Sequence, residues 1–88
     1  MTTPIKLLIV EDSVNDASLV VEELKSAGFD PTWKRVETEA DYLAELKNRP
    51  DVILSDYSMP QFNGARAALL FRERGLDIPF IPIGTAHV

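Results

Sequence analysis

The sequence predicts an α/β domain of three strand–helix units followed by a fourth strand, with all strands parallel. Three observations predict it. Ile5–Val10 and Val52–Leu54 are short, nearly continuous apolar runs, the pattern of strands buried on both faces. Between the strand candidates lie segments with apolar residues spaced by three and four, which read as amphipathic helices. Acidic, glycine or proline residues punctuate each change of period. Strands alternating with helices of this length imply parallel pairing through right-handed crossovers.

The first strand, Ile5–Val10, is stopped by Glu11-Asp12-Ser13. Val14, Ala17, Val20, Val21, Leu24 and Ala27 then mark the first helix, with Asp12 or Ser13 to cap its start and Gly28 at its end. Pro31–Val36 alternates weakly and carries β-branched and aromatic residues, as a half-exposed edge strand does. Thr38 caps a second helix, with Asp41 three positions on as a weaker capping-box partner. Its apolar stripe is read as Ala40, Leu43, Ala44 and Leu46 or Lys47. It ends near Asn48, because Pro50 disfavours helical geometry at Arg49. Val52–Leu54 delivers Ser55 and Asp56 to the end of the third strand. Met59 to Gly64 is a turn-rich loop, with Asn63-Gly64 its clearest turn. Ala65–Arg74 is a third helix closed by Gly75, and Ile78–Ile83 the fourth strand. Trp33 and Phe80 are expected in the core.

At 88 residues the chain makes one small domain. Its 45% apolar and 26% charged residues are ordinary for a globular protein. A net charge of −5 argues against nonspecific nucleic-acid binding, which needs a basic footprint. There is no cysteine, which excludes disulfides and thiolate metal sites and fits a reducing, cytoplasmic setting. No apolar run approaches the length that spans a bilayer, and Met1-Thr2-Thr3-Pro4 does not open a signal peptide, so no membrane partner is expected.

In open parallel sheets the ligand site lies beyond the carboxyl ends of the strands, where strand order reverses. The residues there are Glu11, Asp12, Asp56 and Gly84-Thr85. If the first and third strands are neighbours, three carboxylates converge. Like charges so close raise one another's pKa, and a hard divalent cation removes that penalty. The reading is a Mg²⁺ site able to neutralise an incoming phosphoryl group.

The segments Leu8-Ile9-Val10-Glu11-Asp12-Ser13, Asn15-Asp16-Ala17, Asp51-Val52-Ile53-Leu54-Ser55-Asp56-Tyr57-Ser58-Met59-Pro60 and Gly64 resemble the response-regulator receiver family of two-component signalling. The resemblance runs from about Lys6 to Phe80. It implies a flavodoxin-like, doubly wound sheet with strand order 2-1-3-4-5. It implies that Asp56 accepts a phosphoryl group from a phosphohistidine on a sensor histidine kinase or histidine phosphotransfer protein. It implies that Glu11, Asp12, Asp56 and the backbone carbonyl of Ser58 hold Mg²⁺, and that Met59-Pro60 and Gly64 shape the site. His87, the sole histidine, has nothing to favour it as a donor.

A full receiver continues with a helix, a strand and a helix, for which these 88 residues have no counterpart. The family's lysine on the fifth strand and the aromatic switch residue there have no equivalent either. Counting from Pro79 puts the switch hydroxyl at Gly84, with Thr85, one residue later, as its candidate. Pro82 lacks the N–H that an internal strand donates, so residues 82–88 fit the family poorly, and a truncation or frame change near Ile81 is expected. With the first helix alone over one sheet face, Val10, Ile53 and that helix's flank are expected to expose apolar surface and to drive homodimerisation. Phosphorylation is then expected to be weak or absent.

The alternative is a non-catalytic interaction or dimerisation module on the same scaffold. An enzyme is not expected. Asp56-Tyr57-Ser58 lacks the second carboxylate that a phosphohydrolase would use as general acid. Glu11-Asp12-Ser13 stands where a dinucleotide-binding half-domain would need a glycine-rich loop.

Overall fold

The computed structural model describes residues 2–56, 64–75 and 77–83. Ser58, Met59, Pro60, Thr85 and His87 lie outside them. The elements run β1 (Thr3–Val10), α1 (Val14–Ser26), β2 (Phe29–Val36), α2 (Glu39–Leu46), β3 (Val52–Asp56), α3 (Gly64–Glu73) and β4 (Phe80–Ile83). The strands form one sheet in the order β2-β1-β3-β4, and every pair is parallel. This is the expected flavodoxin-like α/β arrangement. Its reversal point lies between β1 and β3, since the chain moves outward from β1 in both directions.

Local sequence signals fix the helix ends. The Ser13 hydroxyl caps α1 by accepting from the Asp16 N–H at 3.1 Å, and Thr38 caps α2 through the Asp41 N–H at 3.2 Å. Gly28 at φ +98° and Gly75 at φ +64° turn the chain out of α1 and α3, a geometry that costs glycine little. After α2 the turn falls to Arg49, at φ +50°. At β3's start, the Lys6 N–H donates to the Asp51 carboxylate (2.8 Å) and the Asp51 N–H donates to the Lys6 carbonyl (2.8 Å).

Two apolar layers sandwich the sheet. Because strand side chains alternate, Leu7, Ile9 and Leu54 meet Ala17 and Val21 of α1 on one face. On the other, Leu8, Val10 and Ile53 meet Tyr42 and Leu46 of α2 and Ala67 and Leu70 of α3. Phe71 and Phe80 extend this second layer, with ring centroids 5.6 Å apart.

The packing corrects three expectations. Val10 and Ile53 are fully buried, because they face α2 and α3 rather than α1. On α2, Ala40, Ala44 and Lys47 are exposed, and the buried pair is Tyr42 and Leu46 with Leu43 beside them. Tyr42 can be buried because its hydroxyl donates to the Ala67 carbonyl at 2.8 Å, tying α2 to α3. Trp33 is 38% exposed on the outer strand β2, while Phe80 does join the core.

Pro82 finds a place in β4, the outermost strand on its side among the described residues. The Ile53 N–H donates to the Pro79 carbonyl at 2.9 Å, which sets the ladder. In a parallel ladder alternate residues bond to the same neighbour, so Ile81 and Ile83 turn their amides to β3 and Pro82 turns its nitrogen outward. No hydrogen bond to β3 is lost.

Candidate functional site

The site is built by the register of β1 and β3. Val10 pairs with Ser55, so the next residues along, Glu11 and Asp56, emerge side by side at the carboxyl edge. Asp12 follows Glu11 in the turn before the α1 cap. Carboxylate oxygens of Glu11, Asp12 and Asp56 lie within 4.8 Å of one another. Glu11 is 2% exposed and Asp56 4%, while Asp12 is open to solvent. The convergence expected from sequence is therefore present.

Glu11 is held from several directions. Its N–H donates to the Val36 carbonyl (3.0 Å), and its own carbonyl accepts from the Arg35 guanidinium (3.1 Å). Arg35 also pairs with Glu37 at 3.1 Å. The Glu11 carboxylate accepts from the Ser13 N–H at 3.1 Å. One turn thus caps α1 through the Ser13 side chain and anchors Glu11 through the Ser13 backbone. Neither the Arg35 contact nor the Ser13 backbone contact was read from sequence. Both depend on a turn and a strand pairing that leave no residue pattern.

Burial pushes the Glu11 carboxyl up to about 7. The Ser13 N–H opposes that rise, whereas the Asp56 charge and hydrogen bonds with Asp12 and Asp56 add to it. A carboxylate trio in which one member resists ionisation at neutral pH has the chemistry of an oxygen-ligand cation site. The donor set fits Mg²⁺, which takes few protein oxygens and neutralises the charge they share.

The raised Glu11 gives a signed prediction. Its ordinary value is 4.5 and its folded value about 7, so the folded state holds the proton more tightly. Stability from this group is complete below pH 4.5 and is lost as pH rises through about 7. The loss is on the order of 3 kcal/mol without a divalent cation. Added Mg²⁺ is expected to restore stability more at pH 8 than at pH 5.5. Urea midpoints of the wild type and Glu11→Gln measure it. Equal pH slopes for the two proteins would remove Glu11 as the source.

At the same edge the Arg66 guanidinium grips the Glu39 carboxylate with two bonds, 3.0 and 3.1 Å, joining the starts of α3 and α2. This holds the Glu39 carboxyl below its usual range. Behind Asp56, the Ser55 hydroxyl is buried with no hydrogen-bond partner. No described helix is long and apolar enough to cross a membrane.

Comparison with known proteins agrees with this geometry. No family model matches the chain. It is 33% identical over 78 residues to the sensor histidine kinase RcsC of Escherichia coli K12, covering 88% of this chain and 8% of that protein. It is 31% identical over 83 residues to two-component system protein A of Emericella nidulans, covering 88% of this chain and 12% of that one. The chain thus spans about a tenth of these curated relatives. The MaeR response regulator bound to beryllium trifluoride superposes on the whole chain with a TM-score of 0.79 and 28% identity, with 70% of MaeR covered. The parallel sheet in this strand order, the acidic trio at its reversal point and these likenesses agree, and all are those of a receiver domain of two-component signalling.

Proposed function

We propose that Asp56 accepts a phosphoryl group from a phosphohistidine donor on a sensor kinase or phosphotransfer protein. The observation that carries this is the meeting of the Glu11, Asp12 and Asp56 carboxylates within 4.8 Å, at the ends of adjacent strands. An Asp56 carboxylate oxygen attacks phosphorus. The new O–P bond forms as the N–P bond to imidazole breaks, and imidazole leaves with the electron pair and takes up a proton. Glu11, Asp12 and Asp56 would hold Mg²⁺, with the Ser58 carbonyl carried over from the family resemblance as a further ligand. When bound, the ion supplies positive charge against the phosphoryl oxygens. Ser13 and Arg35 keep Glu11 in place without touching the phosphoryl group. The near-complete burial of Asp56 limits the approach of water to the acyl phosphate. Beryllium trifluoride, which the MaeR structure binds, is a tetrahedral stand-in for such a group and supports the reading.

The test is incubation with Mg²⁺ and a small phosphodonor such as acetyl phosphate, followed by intact mass. A gain of one phosphoryl group, abolished by chelation, is expected. An unchanged mass under conditions that label another receiver domain would refute the proposal.

A second reading, homodimerisation, is favoured by apolar surface on the α1 side of the sheet. Ile81 pairs in register with Leu54 yet is 46% exposed, and Val14 is also exposed. Sedimentation equilibrium is expected to show a dimer that Ile81→Glu dissociates. A wild-type monomer with cooperative unfolding would end this reading.

A further inference from the structure

Away from the carboxylates, at the amino edge of the sheet, a cavity of about 280 Å³ opens between the ends of α2 and α3. It is lined by Leu43 and Leu46 together with Lys47, Arg49 and Arg74. In a chain of net charge −5, three cations gather there. Among the described residues, none of the three side chains forms an ion pair or side-chain hydrogen bond.

Helix ends account for part of this. Lys47 and Arg74 follow the last turns of α2 and α3, where positive charge suits the helix dipole. That reason does not extend to Arg49, which lies beyond α2 at φ +50°. Pro50 disfavours the right-handed helical conformation there, and the left-handed one that Arg49 adopts suits glycine or asparagine better than arginine. A long cation kept at a strained position on a cavity rim points to use of its side chain.

We propose that this cavity is a second binding site, for a small phosphomonoester on an apolar organic group. Leu43 and Leu46 take the apolar group, and Lys47, Arg49 and Arg74 take the phosphate. The cavity lies near the lower limit of small-molecule sites, roughly 300–1,000 Å³. It is a local pit and not the extended groove or sheet edge that a peptide needs. The site is independent of the Asp56 chemistry, which lies on the opposite rim.

The probe is phenyl phosphate, titrated into the chain without divalent cation and followed by methyl and arginine side-chain NMR. Saturable shifts at Leu43, Leu46, Arg49 and Arg74 are expected. Phenyl phosphate should bind about tenfold more tightly than either inorganic phosphate or phenol, because both halves of the site are needed. Arg49→Asn, which suits the left-handed turn, should keep or raise the melting temperature and weaken binding about tenfold. Arg74→Gln should weaken it similarly. Equal affinity for inorganic and phenyl phosphate, shifts confined to other regions, or unchanged binding in a folded Arg49→Asn protein would each overturn the proposal.

Discussion

Asp56→Asn is expected to take up no phosphoryl group at all, and to be more stable than the wild type at neutral pH when divalent cations are removed. The first effect follows because an amide oxygen is too weak a nucleophile to displace imidazole from phosphorus. The second follows from the crowding of the acidic trio. Asp56 contributes both its charge and a hydrogen bond to the rise in the Glu11 carboxyl. Removing that charge lets Glu11 ionise more easily and relieves on the order of 1 kcal/mol of repulsion. Intact mass after treatment with acetyl phosphate reads the first effect, and urea midpoints in chelator read the second. A variant that loses phosphorylation but also loses stability would mean that Asp56 serves the fold rather than repelling its neighbours. A variant still labelled would show that another residue is the acceptor.

Tyr42→Ala is expected to cost about 3–5 kcal/mol, the range for removing a large aromatic from a core. A domain of this length has roughly 4–13 kcal/mol in total, so a large share of its margin would be lost. Tyr42 is fully buried between the sheet and α3, and its hydroxyl reaches the Ala67 carbonyl. Burial raises the pKa of the phenol well above its usual range, so it remains a donor at neutral pH. Tyr42→Phe keeps the ring and loses the donor, and should cost about 1 kcal/mol. The pair of variants separates packing from hydrogen bonding. If Tyr42→Ala melted within a few degrees of the wild type, the α2–α3 layer would not be a major source of stability.

The strands that carry the site were the most legible part of the sequence. Leu7 to Val10 and Val52 to Leu54 must be apolar throughout because each has a helix layer on both sides, and that requirement is visible one residue at a time. Once the two runs are neighbours, their termini place Glu11 beside Asp56. The faces were harder to read. A strand apolar on both sides does not say which residue meets which helix, so Val10 and Ile53 were assigned to the wrong layer. Tyr42 carries no core signal in the sequence, because its hydroxyl suits a surface until the Ala67 carbonyl accepts from it. Trp33 misled in the opposite sense, since an outer strand leaves even a large ring partly in water. The positioning of Glu11 by Ser13 and Arg35 pairs one side chain with one backbone group in each contact, across a turn and a strand pairing that leave no residue pattern.

The outward nitrogen of Pro82 bears on how copies of this chain treat one another. A growing fibril, or a neighbour adding its own strand, recruits the hydrogen-bond donors of an open sheet rim. Along β4 the donor sequence is interrupted at residue 82, so a newcomer would meet a gap after one turn of the pleat. Among the described residues, this side of the sheet is thereby a poor template for strand addition.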